Sequence, residues 1–252
     1  MSSAERLAHI RRRITEACQR RGRVPESVTL VAVTKTVPVE LIREAMALGV
    51  TDLGENRVQE ALAKRRALGL MRSAECGVRN EKQQHSEFRI PNSELGSVRW
   101  HLVGHLQRNK AKDAVELFDV IHSVDSVALI EELERQLAKR TQEKPLEVFV
   151  QVNVSGETTK SGCKPDEVNQ LAQAVQRSPH LQLRGLMTIP PFSDNPEDAR
   201  PHFRRLRELK EGFDPSLRLS MGMSSDFEIA IEEGADYVRI GTAIFGDRRP
   251  ET

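Results

Sequence analysis

The chain has 252 residues, of which 38% are hydrophobic and 30% are charged, a balance typical of a globular protein with one sizeable core. Lys and Arg number 38 against 37 Asp and Glu, so the net charge gives no reason to expect general affinity for nucleic acid or membranes. No apolar run approaches the roughly 18 residues of a membrane helix, and the amino terminus lacks a secretory signal. We therefore expect a cytoplasmic protein.

Three cysteines, Cys18, Cys76 and Cys163, also bear on the compartment. Their number is odd, and their spacing matches no zinc site. No signature of a catalytic nucleophile surrounds them. The simplest expectation is three free thiols in a reducing compartment.

The chain begins with an amphipathic helix, after which strand-like and helix-like segments alternate. Residues 3–21 predict that first helix, with an apolar face formed by Leu7, Ile10, Ile14 and Ala17. Short apolar or β-branched runs predict strands at residues 28–34, 52–54, 100–104, 120–124, 146–154, 181–189, 217–221 and 237–240. Helical periodicity and capping residues predict helices at residues 39–48, 56–68, 109–117, 126–139, 165–176, 196–211 and 225–233.

This alternation indicates parallel βα units, because parallel strands need a crossover connection. A closed barrel and an open doubly wound sheet both satisfy it. The length suits an eightfold barrel of about 250 residues, and the dinucleotide fingerprint G-x-G-x-x-G is absent, which weakens the open sheet. We predict an α/β fold with one (β/α)8 TIM-type barrel domain over residues 1–252, carrying an extra N-terminal helix.

Residues 71–98 interrupt the alternation between the helix predicted at residues 56–68 and the third strand. The segment is polar and lacks useful periodicity. Long segments of this kind in compact domains are either functional loops or disordered ones. We predict a mobile surface insertion here, with a functional lid as the alternative.

Lys35 is the first candidate for chemistry. It follows the apolar run that ends at Thr34, which places it at the carboxyl end of the first strand, on the face where barrels carry their active sites. A lysine beside an apolar core loses solvation of its ammonium group, which favours the neutral amine. A neutral amine can attack an aldehyde and form a Schiff base. The alternative is a solvated lysine just past the strand.

Two C-terminal segments follow the seventh and eighth strands, where barrels often bind phosphate. The first runs SMGMSSDFE from Ser220, and within it Ser225 and Glu228 have capping-box spacing. In the second, Gly241 would let backbone N–H groups approach an anion closely. Each segment alone is explained equally well by helix capping or a turn. Together with Lys35 they favour one site that holds a phosphate and an aldehyde-reactive amine.

Other polar residues follow the remaining strands. Asn56 could bind a ligand or cap the next helix. His101 and His105, near the third strand, could orient a ligand, although their surroundings do not predict a metal site. His122 lies within the fourth strand and is expected to be a satisfied core histidine. Lys160 could face the barrel mouth, but a solvated loop lysine is the simpler expectation.

The motifs VAVTKTVP, DLGENRVQE, WHLVGHLQRNK, IHSVD, GLMTIPP, LSMGMSSDFEIAI and VRIGTAIFG occur in this order along the chain. In that order they resemble the YggS/PROSC family of pyridoxal 5′-phosphate (PLP)-binding homeostasis proteins, over nearly the whole chain outside residues 71–98. That family is similar in fold to the barrel domain of bacterial alanine racemases, which is PLP fold type III.

The resemblance implies PLP as cofactor and assigns a role to particular residues. Lys35 looks like the Schiff-base lysine, and Arg239 like the arginine that faces the pyridine nitrogen. An arginine there would keep that nitrogen unprotonated, because two positive charges repel. Further cofactor contacts are implied for Asn56, Met221, Ser224, Gly241 and Thr242. One departure is Val37, which stands where family members often carry a second lysine.

The resemblance implies a non-catalytic PLP carrier in vitamin B6 homeostasis. It would be a monomer, because no other subunit need complete the pocket, and PLP-dependent apo-enzymes are candidate partners. Two alternatives keep the same anchor: a PLP-dependent amino-acid racemase and a Schiff-base aldolase acting on a sugar phosphate. Racemisation needs acid/base groups on both faces of the substrate carbon. The single tyrosine, Tyr237, falls inside the last predicted strand, and Ile189 stands where the racemases carry a histidine, so no second base is visible.

Overall fold

The computed structural model describes residues 1–70, 98–141 and 144–246, and eight parallel strands within these ranges close into a barrel. Neighbours follow the order of the chain, and β1 pairs with both β2 and β8. The strands are β1 Thr29–Val33, β2 Asp52–Glu55, β3 Arg99–Leu102, β4 Val120–Val124, β5 Leu146–Gln151, β6 Leu181–Met187, β7 Arg218–Ser220 and β8 Tyr237–Ile240. The prediction of a (β/α)8 barrel is confirmed.

Helices surround this barrel. The described ones are α1 Ser3–Arg20, α2 Val39–Ala47, α3 Val58–Ala67, α4 Ala111–Leu117, α5 Val127–Leu137, α6 Val168–Gln176, α7 Arg200–Phe213, α8 Phe227–Glu232 and α9 Thr242–Phe245. The extra helix α1 begins with a capping box between Ser2 and Glu5 and buries the predicted apolar face. It packs against α2, α8 and α9. Among these helices, none combines the length and apolar character needed to cross a membrane.

Several boundaries differ from the expectation. The predicted strand at residues 146–154 is shorter, since β5 ends at Gln151 and Val152 forms an isolated bridge with Cys163. The helix expected at 196–211 divides into a 3-10 turn at Pro196–Ala199 and α7. The expected insertion at residues 71–98 lies, apart from Val98, outside the described residues.

Side chains of β1 and β8 alternate between two hydrophobic clusters, as the twofold period of a strand requires. In β1, Val31 and Val33 point into the barrel while Ala32 packs toward the helices. In β8, Tyr237 joins the interior cluster and Val238 the outer one. This parity decides which residues can reach the barrel axis, and hence which can build a site at its mouth.

Candidate functional site

A cavity of about 660 Å³ opens at the carboxyl ends of the strands. Six of the seven predicted cofactor residues line it: Lys35, Asn56, Ser224, Arg239, Gly241 and Thr242. They come from the ends of β1, β2, β7 and β8. Barrel closure places β8 beside β1, and so brings the C-terminal segments next to Lys35.

Met221 is placed differently from the other six. Its side chain is fully buried in the cluster between strands and helices, and Met223 lines the cavity instead. Ser220, the last residue of β7, points into the barrel, so Met221 must point out. The chain then turns at Gly222, which has φ +94° and whose added Cβ would lie 2.5 Å from Ala230 Cβ. Only glycine fits this turn.

Lys35 lies in a tight turn after β1 and is exposed at the cavity. The sequence predicts that the Lys35 ammonium group loses solvation beside an apolar core, but the protein alone leaves this side chain exposed to solvent. Thr36 has a positive φ of 58°, which is uncommon for a residue with a side chain. Two hydrogen bonds hold it there: its backbone N–H donates to the Glu60 carboxylate, and its hydroxyl donates to the Lys35 carbonyl at 2.7 Å.

A buried ionic cluster supports this turn from below. Lys64 on α3 donates to Glu55 at 2.8 Å, to Glu60 at 2.7 Å, and to the Thr34 carbonyl. The hydroxyl of Thr34 also donates to Glu55, at 2.5 Å. Burial raises the pKa of Glu55, although Lys64 opposes the shift. No sequence pattern indicated this cluster, because a lysine on a helix is ordinarily solvated.

Val37 directly follows Thr36 in the turn after β1. It is 5% exposed and packs in the hydrophobic cluster between the strands and the helices. The position at which family members often carry a second lysine is therefore turned into the hydrophobic core in this chain. A side chain in this orientation does not reach the cavity.

The two C-terminal segments meet at a pair of hydroxyl groups. Thr242 Oγ1 lies 3.2 Å from Ser224 Oγ, and both residues line the cavity beside Gly241. Gly241 is the N-cap of α9, and the first backbone N–H groups of a helix have no partner within it. Hydroxyl groups and unpaired backbone N–H groups are both donors of the kind that anions accept.

The capping-box spacing of Ser225 and Glu228 does not produce a capping box. The N-cap of α8 is Asp226, and no side chain caps this helix. The Asp226 carboxylate instead accepts the backbone N–H of Met223 at 2.6 Å, which fixes the segment at the cavity. Burial raises the pKa of Asp226, and this hydrogen bond opposes the shift. Ser225 itself is exposed and lines the cavity.

Arg239 contributes a buried guanidinium to the cavity wall, with 4% of the residue exposed. It donates to Ser220 Oγ at 2.7 Å and to the Thr188 carbonyl at 2.9 Å. Both acceptors are uncharged. Burial lowers the pKa of Arg239 to about 10, and the charge of Asp226 opposes that shift, so the group is still a cation at neutral pH.

Asn56 follows β2, and its alternative role as a helix cap is not observed, since Arg57 occupies the N-cap of α3 without a capping hydrogen bond. Close backbone packing fixes the position of Asn56. A Cβ added to Gly104 would lie 2.3 Å from the Asn56 carbonyl oxygen, so only glycine allows the two loops to approach.

The cavity is also lined by residues that the sequence analysis did not name as cofactor contacts. His105 lines it, and its Nδ1 lies 3.2 Å from the Asp125 carboxylate. Lys160 also lines it and is half-buried, where a solvated loop lysine was the simpler expectation. Ile189 and the strongly exposed Phe192 complete the wall. Residues 159–161 and Phe192 lie in loops, where no strand parity indicates their direction.

Below the cavity, the barrel interior is aromatic and polar. The ring of His122 stacks on Phe149 with centroids 4.5 Å apart, and Tyr237 meets Phe149 edge-on at 5.2 Å. His122 is fully buried and hydrogen-bonded at both nitrogens, so the expectation of a satisfied core histidine is confirmed. Tyr237 is 5% exposed and does not line the cavity. Within the described chain, no three His, Cys, Asp or Glu side chains are grouped to hold a metal ion.

Comparison with known proteins identifies relatives over nearly the full length. The family model of the alanine racemase N-terminal domain matches residues 6–249. A pyridoxal phosphate homeostasis protein of Aquifex aeolicus is 40% identical over 254 residues, which cover 99% of this chain and 100% of the relative. Another with this name, from Pseudomonas aeruginosa, is 43% identical over 248 residues, covering 97% and 95% of the two chains.

Solved structures with a similar fold include relatives of the same kind. PipY of Synechococcus elongatus with PLP bound superposes with a TM-score of 0.74 at 35% identity, covering 97% of this chain and 100% of PipY. An alanine racemase from Oenococcus oeni superposes at 0.59 with 20% identity, and the match covers 97% of this chain and 57% of the racemase, which shows a shared fold. This chain therefore belongs to the family of the alanine racemase N-terminal domain, together with the relatives named pyridoxal phosphate homeostasis protein.

Proposed function

We propose that this protein binds PLP reversibly as a Schiff base on Lys35 and acts as a non-catalytic carrier in intracellular PLP homeostasis. One observation carries the proposal: a single cavity joins a lysine amine, a hydroxyl pair beside a helix start, and a buried arginine hydrogen-bonded to neutral acceptors. The names of the relatives and the PLP-bound PipY structure support the choice of ligand.

The residues at hand suit each end of PLP. PLP supplies, when bound, an aldehyde that condenses with a primary amine and releases water. Lys35 offers that amine at the cavity edge, and Ser224, Gly241 and Thr242 offer donors for the phosphate. Arg239 is the candidate for the pyridine nitrogen. Its positive charge would keep that nitrogen unprotonated, which weakens the electron-withdrawing chemistry that PLP enzymes require.

The same cavity argues against a racemase built on the usual pair of bases. Racemisation needs a proton donor or acceptor on each face of the substrate carbon. Tyr237 is packed in the barrel interior, and Ile189, an apolar residue, lines the cavity at the position of the racemase histidine. His105 with Asp125 is a titratable pair on the wall and provides the one specific observation in favour of the racemase alternative.

The first test is an absorption spectrum of the purified protein before and after addition of PLP. Wild type is expected to show a visible Schiff-base band that Lys35→Ala lacks, whereas Lys112→Ala, at an exposed lysine, retains it. Borohydride reduction followed by peptide mapping should place the pyridoxyl group on Lys35. An adduct on Lys160 would contradict the anchor, and the absence of a band at saturating PLP would favour the sugar-phosphate aldolase.

The second test separates carrier from racemase. Incubation of the loaded protein with alanine in deuterated water should give no exchange of the α-proton above that of free PLP. Exchange that disappears in His105→Ala would show an enzyme and refute the carrier.

We propose further that apo forms of PLP-dependent enzymes receive the cofactor. Loaded protein should reactivate such an apo-enzyme in the presence of a scavenger that removes free PLP. Reactivation only without the scavenger would mean release into solution.

A further inference from the structure

A chain of five hydrogen-bonded side chains crosses the interior of the barrel. Arg239 Nη1 lies 2.7 Å from Ser220 Oγ, which lies 2.8 Å from His122 Nδ1. His122 Nε2 lies 2.9 Å from His101 Nδ1, and His101 Nε2 lies 2.8 Å from Asp52 Oδ1. Arg239 lines the cavity at the mouth, and Asp52 lines a second cavity, of about 350 Å³, at the opposite end of the strands.

The chemistry of the two ends fixes the direction of every hydrogen bond between them. Arg239 can only donate, so the Ser220 oxygen accepts. The Asp52 carboxylate can only accept, so His101 donates from Nε2. With neutral rings, His101 Nδ1 must then accept from His122 Nε2, and His122 Nδ1 must accept the hydroxyl proton of Ser220. All donors therefore point away from the mouth toward Asp52.

The ionisation of the chain fits this direction. Burial lowers the pKa of His122 well below its ordinary value, and the positive charges of Arg239 and Arg99 add to the effect, so its ring is neutral. Burial alone would raise the pKa of Asp52, but the hydrogen bonds from His101 and Thr51 and the charge of Arg99 lower it, so Asp52 is an anion. One anion at the base thus faces one cation at the mouth through three connecting groups.

The alternative, a protonated pair of rings, satisfies fewer groups. His122 would then donate to Ser220 Oγ, which already accepts from Arg239. Within the described chain these are the two hydrogen-bond partners of the Ser220 hydroxyl, so its own proton would have no acceptor. A buried polar hydrogen without an acceptor is costly.

We propose that His101 and His122 are positioning residues of the cofactor site: with Asp52 they orient the Ser220 hydroxyl so that it accepts from Arg239 and holds this guanidinium, as a cation, toward the bound ligand. Neither histidine lines the cavity, so each acts only through Ser220 and Arg239. This inference rests on the proposed function for the identity of the ligand, but the hydrogen-bond direction itself does not depend on it.

The first experiment measures the histidine tautomers in the protein without added PLP. Long-range ¹H–¹⁵N correlation spectra should show His101 and His122 as neutral rings protonated at Nε2, assigned by loss of each signal in the His101→Gln and His122→Gln variants. A His122 ring protonated at Nδ1, or a doubly protonated ring, would overturn the proposal whatever the protein binds.

The second experiment compares His122→Phe with His122→Gln. Phenylalanine keeps an aromatic ring against Phe149 but offers no acceptor to Ser220, and PLP affinity is expected to fall about tenfold or more. Glutamine provides one donor and one acceptor and should recover most of that loss. Phe149→Leu is the matched control, since it loosens the packing against the same His122 ring but removes none of the four hydrogen bonds, and it should change PLP affinity less than threefold.

The outcomes distinguish the two proposals. Equal PLP affinity in wild type and His122→Phe would refute the positioning role, as would an equal loss in Phe149→Leu. If His122→Phe does not fold, the comparison passes to His122→Gln against wild type, and the tautomers decide. If wild type itself shows no PLP band, the proposed function fails, while the tautomer result still tests the chain.

Discussion

Lys64→Met tests the cluster that supports the Lys35 turn. Methionine keeps an apolar chain of similar length but removes the ammonium group from Glu55, whose side chain is fully buried. One carboxylate oxygen of Glu55, Oε2, already lacks a partner. Removing one member of a buried ion pair leaves an uncompensated charge, which costs about 3–5 kcal/mol. We expect a loss of this size in the free energy of unfolding at neutral pH.

The pH dependence of this loss gives the sharper test. The pKa of Glu55 is raised by burial and opposed by Lys64, so removal of Lys64 raises it further. A raised folded-state pKa means that ionised Glu55 penalises the fold. The penalty is complete above the folded-state pKa and disappears as pH falls toward the unfolded value, because protonated Glu55 carries no charge. The difference from wild type should therefore shrink as the pH falls from neutral toward the ordinary pKa of a glutamate.

Urea unfolding followed by circular dichroism at several pH values measures this difference. Lys112→Met, at an exposed position of α4, is the control and should stay within about 0.5 kcal/mol of wild type at every pH. Combining Lys64→Met with Glu55→Gln should recover most of the stability, because no buried charge remains. A loss that does not vary with pH, or one below about 1 kcal/mol, would refute the reasoning.

Two further predictions concern other parts of the barrel. Gly104→Ala places a Cβ 2.3 Å from a backbone oxygen, so it should lower the free energy of unfolding by about 1–3 kcal/mol and weaken PLP binding. Gly212→Ala adds a Cβ in open space on α7 and should raise the free energy of unfolding by about 0.5–1 kcal/mol. Urea unfolding compares the two variants. Burial raises the pKa of Cys163 to about 12 and also raises that of Cys18, so native protein should leave both thiols unmodified by iodoacetamide at about pH 8; rapid labelling of either, seen by mass spectrometry of peptides, would contradict their burial.

The sequence by itself determined the barrel and most of its mouth. Alternating strands and helices predict parallel βα units, and in a closed barrel the carboxyl ends of all strands meet at one face. Lys35 and Asn56 could therefore be placed at one face from their positions along the chain alone, whereas Arg239 was assigned to the site only through the resemblance to the family. The apolar stripe of α1 was equally readable, because a period of 3.6 residues places its members on one face.

Tertiary structure decided what local patterns do not encode. Met223 lines the cavity in place of Met221, which is buried in the core, because strand parity and the turn at Gly222 together set the directions of the two side chains. Lys64 is buried only because α3 packs over the end of β2, where its ammonium group forms an ion pair with the buried carboxylate of Glu55. The five hydrogen-bonded side chains from Arg239 to Asp52 are separated in sequence by 19, 98, 21 and 49 residues at their successive hydrogen bonds. Only closure of the barrel brings these donors and acceptors together.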